Sequence, residues 1–309
     1  MSGANIIRDD IDFSLYMQAT DAGHKIIPAG AYAEEVADYL LNGEQLCGAK
    51  LPWRKTRDLI RFREGEVTLW SGMNGHGKSL ALGQAMVGFV CQRQPVCIAS
   101  FEMKPVVTLA RMMRQTAGCR QPEREMVLGV HEAWADWLWL YDQQGQVHAE
   151  KILAVMRYAA DKLKVRHFVV DSLMKCGIAE DDYTAQKLFL DAITTIARDT
   201  GMHIHLVAHS RKAKDETLPP GKMDVKGSGS ITDQVDNVVV VWRNKTKEQA
   251  LQAGGSYQPT EPDALLIIDK QRNGEFEGKV GLWFDKGSMQ YLEHATQTPV
   301  DMLRAGFWE

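Results

Sequence analysis

Eight consecutive residues limit what this chain can fold into. Gly72-Met-Asn-Gly-His-Gly77-Lys78-Ser79 fits G-x-x-x-x-G-K-[ST] without a gap. The run VTLWSG ahead of it is apolar enough for a buried strand, and the residues behind it read as a helix over 79–93. A strand that enters a glycine-rich turn and leaves as a helix is the frame in which successive backbone N–H groups curl around phosphate oxygens. Glycine permits the curl, and the helix N-terminus adds partial positive charge. Lys78 suits β- and γ-phosphates as a point charge, and the Ser79 hydroxyl suits Mg2+. Gly72, Asn74, Gly75, His76, Gly77, Lys78, Ser79 and Leu80 are therefore the candidate nucleotide-binding residues. A chance glycine turn would not explain their placement between strand and helix.

The rest of the chain supplies the fold such a loop needs. From Glu66 onward strands and helices alternate: PVCIASFE, a helix over 105–117, a helical stretch over 122–141, a helix over 147–164, VRHFVVD, a helix over 182–199, and HIHLVAH. DNVVVVW, ALLIIDK and KVGLWF follow as strands with no long helices between them. Near-continuous Val/Ile/Leu runs suit a parallel sheet covered on both faces. The expected class is a doubly wound α/β core with a mainly parallel central sheet and antiparallel C-terminal strands. Trp134, Trp137 and Trp139 in the 122–141 stretch read as packing residues and not as a base-stacking platform. Residues 1–30 are weakly patterned and read as a loose arm. Residues 31–46 place Tyr32, Val36, Tyr39, Leu40 and Leu46 at near-helical spacing. That amphipathic helix either packs on its own domain or docks on a neighbouring subunit. The basic stretch from Lys50 to Arg63 reads as a solvated face.

Composition narrows the setting. At 45% apolar and 25% charged residues, a packed core is expected and disorder is not. The net charge of −4 confines any nucleic-acid surface to a local patch. The five cysteines form no CxxC pair, so they read as thiols in a reducing compartment and not as a zinc site. No apolar run reaches the roughly 18 residues that span a bilayer, so no membrane partner and a cytoplasmic location are expected.

Two acids complete the phosphate chemistry. In HFVVDS four mainly apolar residues lead to Asp171, placed to hold the Mg2+ shell from a neighbouring strand. Glu102 ends PVCIASFE, which a parallel sheet brings to the edge beside the phosphate loop, as a general base for attacking water. Glu180 and Asp181 are weaker alternatives because they lie in a loop. His209 ends HIHLVAH at the same edge, as a sensor of the γ-phosphate or as a structural histidine. Lys270 and Arg272 stand two apart at a strand end, either as charges offered to a neighbour's γ-phosphate or as a basic hairpin in solvent. Residues 210–230 carry Arg211, Lys212, Lys214, Lys222 and Lys226 with few aromatics. They form a solvated loop or a groove that grips a nucleic-acid backbone without reading bases.

Taken together, GEVTLWSGMNGHGKS, SFEM, FVVDS, VAHS, DVKGSGSITDQVDNVVVVWRNK and DKQRNGEFEG resemble the RecA-like motor domain of DnaB-type replicative hexameric helicases, including phage primase-helicases and the Twinkle type. The resemblance runs from about residue 51 to about residue 290. It implies a RecA-like P-loop NTPase core at 51–309 behind an arm and linker helix at 1–50. It implies an ATP-dependent DNA helicase that moves on single-stranded DNA as a ring, usually of six subunits in the family. The residues themselves specify neither ring size nor polarity. ATP or dTTP with Mg2+ would be hydrolysed between subunits. Glu102 would be the catalytic carboxylate, Asp171 the metal acid, His209 the sensor where many relatives carry Gln, and Arg272 the arginine finger with Lys270 beside it. Arg243 and Phe284 match positions flanking the nucleotide base. Arg211, Lys212, Lys214, Lys226, Gly227 and Gly229 would line the DNA channel. A primase, polymerase or loader would be a partner. With about 50 residues ahead of the motor and no zinc motif, a compact phage or mobile-element helicase is expected. The alternative is a DNA-stimulated RecA-like ATPase that does not unwind. A small-molecule kinase is disfavoured because no arginine-rich lid or acceptor pocket is seen.

Overall fold

The apolar runs become strands whose side chains are buried along the whole length, at Val67–Ser71, Val96–Ser100, His167–Asp171 and His203–Val207. Continuous burial requires cover on both faces, and helices supply it. The computed structural model describes residues 5–7, 12, 14–17, 28–42, 47–179, 181–210, 217–225, 229–255, 258 and 260–304. Within them the chain runs β1 (Asn5–Ile7), α1 (Ser14–Met17), α2 (Ala33–Asn42), β2 (Val67–Ser71), α3 (Lys78–Cys91), β3 (Val96–Ser100), α4 (Pro105–Ala117), α5 (Arg124–Trp134) and β4 (Leu138–Tyr141). It continues through α6 (Ala149–Leu163), β5 (His167–Asp171), α7 (Tyr183–Thr200), β6 (His203–Val207), α8 (Gly229–Gln234), β7 (Asn237–Arg243), α9 (Lys245–Gln252), β8 (Ala264–Gln271), β9 (Gly278–Phe284) and β10 (Tyr291–Leu292). Pro105 opens α4 where a missing N–H costs nothing. The Asp182 side chain caps α7 by accepting from Ala185 N at 2.9 Å.

The strands form one sheet in the order β1-β4-β3-β5-β6-β2-β7-β8-β9-β10. Pairing is parallel from β1 through β7 and antiparallel from β7 to β10. This is the expected class. Alternation divides neighbouring residues between two cores. Leu69, Phe168 and Val170 meet α6 and α7 through Ile152, Val155, Phe189 and Ile193. Trp70 and Val169 meet α3, α4 and α5 through Leu82, Met86, Met112 and Trp134.

Three expectations change. The 122–141 stretch is not one helix: α5 stops at Trp134 and Leu138–Tyr141 is a strand between β3 and β1. Trp134 and Trp139 are buried, as packing residues should be, but on a helix and a strand respectively. Apolar and aromatic side chains close together satisfy either period, and pairing partners on both sides decide for the strand. The arm is not loose where described. Asn5–Ile7 pairs in parallel with Trp139–Tyr141, and α1 packs on α6 with Tyr16 edge-on to Tyr158 at 5.5 Å. The stretch from Lys50 to Arg63 is not a solvated face. Trp53, Arg61 and Phe62 are buried, and Lys55 Nζ donates to Glu293 O at 2.7 Å. In contrast, α2 exposes Val36, Leu40 and Leu41, so among the described residues that apolar face is uncovered.

At the amino ends of β5 and β6 three buried histidines form a neutral network. His203 Nδ1 donates to Arg63 O at 2.6 Å, which leaves Nε2 to accept from Thr68 Oγ1 at 2.8 Å. Trp70 Nε1 donates to His205 Nδ1 at 3.1 Å, so His205 Nε2 carries the proton toward His167 Nδ1 at 3.2 Å. Burial pushes His203 down to about 4, and pushes His167 and His205 well below the usual imidazole range. The unfolded chain then binds protons that the folded chain refuses, so stability should fall as pH drops below about 6.5. Urea denaturation should lose up to about 2 kcal/mol per histidine between pH 6.5 and 5. A stability unchanged across that interval would rule the neutral network out.

Candidate functional site

The phosphate loop joins β2 to α3 at the carboxyl edge of the sheet. Gly72 has φ 145°, and a Cβ there would strike the Val241 carbonyl of β7. Gly77 has φ 85° at the start of α3, where a Cβ would strike the Tyr291 hydroxyl. Both glycines are thus required by backbone conformation and by close approach. Lys78 lies back along the loop, its Nζ donating to Gly72 O at 2.8 Å and Met73 O at 3.0 Å. Its ammonium is buried, and loss of hydration lowers its pKa to about 8 despite the attraction of Asp171 and Glu102.

A cavity of about 740 Å³ opens in front of this loop. Asn74, Gly75, Gly77, Lys78, Ser79 and Leu80 line it. Gly72 and His76 stand behind it. The His76 side chain is fully buried, and its Nδ1 accepts from Arg243 N at 3.1 Å, tying the loop to the end of β7. The sequence pattern placed His76 among the binding residues, whereas its side chain braces the loop from within.

Parallel pairing brings the expected acids to the same cavity. Ser79 Oγ donates to Asp171 Oδ2 at 2.8 Å. Burial raises the Asp171 pKa, the Ser79 hydrogen bond opposes the rise, and nearby Glu102 adds to it. Glu102 lies just past β3 and stays more exposed, accepting from Ser172 Oγ at 3.0 Å. His209 Nε2 approaches the same carboxylate at 3.7 Å. A hydroxyl and a buried carboxylate in contact form a hard oxygen pair that fits Mg2+, leaving phosphate and water to fill the remaining positions. Among the described residues no cluster of three or more His, Cys, Asp or Glu forms a separate metal site.

The far end of the cavity is aromatic. Arg243 lies over the Phe284 ring at 5.9 Å, and Phe284 packs on Tyr291 at 5.0 Å between ring centres. Glu248 holds the guanidinium at 2.7 Å. Such groups offer faces against which a planar base can stack. Sequence reasoning missed Tyr291, Arg111, Ser172 and Lys175. Arg111 and Lys175 add positive charge to the cavity wall, and each belongs to an element whose orientation only packing defines.

Lys270 and Arg272 do not line this cavity. Lys270 Nζ donates to the carbonyls of Thr232, Asp233 and Val235 at 2.8, 3.0 and 2.8 Å, closing the end of α8. Burial is the main cause that lowers its pKa, with Arg272 next. Arg272 Nε pairs with Asp236 Oδ1 at 3.1 Å while remaining half exposed. Of the expected channel residues, Gly229 opens α8, and Arg211, Lys212, Lys214, Lys226 and Gly227 lie outside the described residues. The roots of that loop are described: Ser210 bridges to Val225, and Ser210 N donates to Gly72 O at 3.0 Å.

A family profile described as an AAA domain matches residues 50–215. That is more than half of the chain, which belongs to this family. Over 204 residues the chain is 24% identical to the DNA helicase/primase of Enterobacteria phage T3, covering 59% of this chain and 36% of that protein. It thus spans little more than a third of the relative's length. Among solved structures, an ATPase domain superposes with a TM-score of 0.70 at 15% identity, covering 87% of this chain and 99% of that one. A DnaB-like replicative helicase, described with its interactions with primase, gives 0.67 at 16% identity, covering 87% of this chain and 67% of that one. The fold is RecA-like. Among the described residues no helix is long and apolar enough to cross a membrane.

The low Lys78 pKa has a measurable consequence. Phosphate oxygens should restore its charge, so nucleotide binding should take up close to one proton at about pH 9 and almost none at about pH 7. Calorimetry in two buffers of different ionisation enthalpy reads this directly. No uptake at the higher pH would mean that Lys78 is already charged before binding.

Proposed function

We propose that the chain is an ATP-dependent DNA helicase that translocates on single-stranded DNA. Residues 1–50 would serve as arm and linker helix and residues 51–309 as the motor. The observation that carries this reading is the convergence of Lys78, Ser79, Asp171, Glu102 and His209 on one cavity, with Ser210 leading from it into the cationic loop. Lys78 exchanges the Gly72 and Met73 carbonyls for the β- and γ-phosphates. Ser79 and Asp171 hold Mg2+, which supplies charge neutralisation on the phosphates when bound. Glu102 accepts a proton from the attacking water. Arg243 and Phe284 hold the base of ATP or dTTP.

His209, within reach of Glu102, senses the γ-phosphate. Gly72 O accepts from both Lys78 Nζ and Ser210 N, so a change at Lys78 is felt where the DNA loop begins. Arg211, Lys212, Lys214 and Lys226, with Gly227 and Gly229, grip the DNA backbone. A ring, six-membered by analogy, places Arg272 against the neighbour's γ-phosphate. Arg272 is half exposed, and its buried partner Asp236 keeps a bond from Val67 N when the arginine leaves. Lys270 stays behind to hold α8. The uncovered face of α2 supports docking on the adjacent subunit. A primase, polymerase or loader is the partner we expect, in the cytoplasm of a cell or of a phage host.

On a forked duplex, strand release should require ATP and vanish in Lys78→Ala. ATPase stimulated by single-stranded DNA with no release on any fork would instead identify a motor that does not unwind. Arg272→Ala should lower turnover by about 10³-fold or more while sparing ATP binding. Mixing it with Lys78→Ala subunits should partly restore turnover, because some interfaces then hold one intact half from each. Failure to recover at any ratio would remove Arg272 from the shared site.

A further inference from the structure

Away from the nucleotide cavity, residues 57–63 and the loop 271–276 enclose a second pocket of about 300 Å³. Arg57, Arg61 and Arg63 line it, against the carboxylates of Asp58 and Glu275. Arg61 is 4% exposed, yet its Nε and Nη1 are buried without a hydrogen-bond partner. Arg63 Nη1 also makes no hydrogen bond, its nearest acid being Glu66 Oε1 at 3.7 Å. A guanidinium stripped of water and left with unbonded donors is costly to bury. Three cations lining one concavity add mutual repulsion to that cost. The surrounding backbone is tightly held: Gln271 Nε2 donates to Leu59 O at 2.9 Å, and Asn273 Nδ2 donates to Glu66 Oε1 at 2.8 Å. The pocket is thus preformed, and its wall is lined by arginines whose unbonded donors lie beneath the surface.

We propose that this pocket is a second oxyanion site that takes a phosphate group, from free phosphate or a mononucleotide. A tetrahedral dianion offers acceptors in several directions, so one phosphate can face the Arg57, Arg61 and Arg63 guanidiniums together and offset the buried charge of Arg61. A planar carboxylate would meet a single guanidinium edge and leave the others unsatisfied. The volume admits a phosphate with space to spare, and the Phe276 ring on the wall could flank a small attached group. Gln271 lines the pocket and ends β8 next to Arg272, so occupancy braces that strand end from behind.

The test uses the full chain in the Lys78→Ala background, which silences the phosphate loop. Inorganic phosphate should raise the melting temperature in a saturable manner. Adding Arg61→Met should abolish that rise and, without phosphate, leave the melting temperature equal or higher, because a buried unpaired charge is gone. Glu275→Gln should tighten the response several-fold, and Arg57→Gln should weaken it. These two read the same site if Arg61→Met does not fold. Titration with AMP separates the sources: a tighter Arg61-dependent response than to phosphate assigns a mononucleotide, and an equal one assigns free phosphate. The proposal is overturned if Lys78→Ala shows no phosphate response, if Arg61→Met leaves the response intact, if Glu275→Gln and Arg57→Gln both leave it unchanged, or if only an oligothymidylate elicits one.

Discussion

Parallel pairing of β3, β5, β6 and β2 is the constraint on which the rest depends. Parallel strands all end on one edge, and here that edge receives Glu102, Asp171, His209 and the phosphate loop from four separate parts of the chain. None of these groups could meet through local structure. The register that aligns Ser100 with Asp171 and Trp70 with Val207 also determines how close the two acids come to Lys78. Helices on both faces make this pairing possible, because each buried strand needs apolar cover on two sides.

The edge holds its charges under tension that a nucleotide would release. Lys78 is buried against carbonyls, and Asp171 is buried beside a second acid. Each carries a pKa displaced toward its neutral form, and each has a natural partner in a metal-bound triphosphate. The opposite edge of the sheet is different in kind. There the histidines of β5 and β6 are neutral and closed to solvent, His167 bonded to His205, His205 to Trp70, and His203 to Thr68 and Arg63. One end of the strands holds charge that a ligand can compensate, and at the other the three histidines are each hydrogen bonded.

Most elements were legible from pattern alone. The helix over 105–117 coincides with α4, and the strands read from Val/Ile/Leu runs all exist. The exceptions share a cause. Leu138–Tyr141 became a strand because β3 and β1 offer pairing on both sides, and Arg61 entered the interior because Trp53 and Phe62 draw its segment onto the core. In both places a distant partner outweighed the local signal, which periodicity cannot register.

The division at the site follows the same line. The eight residues from Gly72 to Ser79 announced themselves, since that loop's work depends on contiguous backbone and is written in contiguous sequence. Asp171 and Glu102 were readable as acids at strand ends once a parallel sheet was expected. Only tertiary structure decided that His76 turns inward to brace Arg243, that Tyr291 and Arg111 join the cavity, and that Arg272 rests on Asp236. Those placements depend on which helix or strand covers which face, and that is set by packing between residues as far apart as Gly77 and Tyr291.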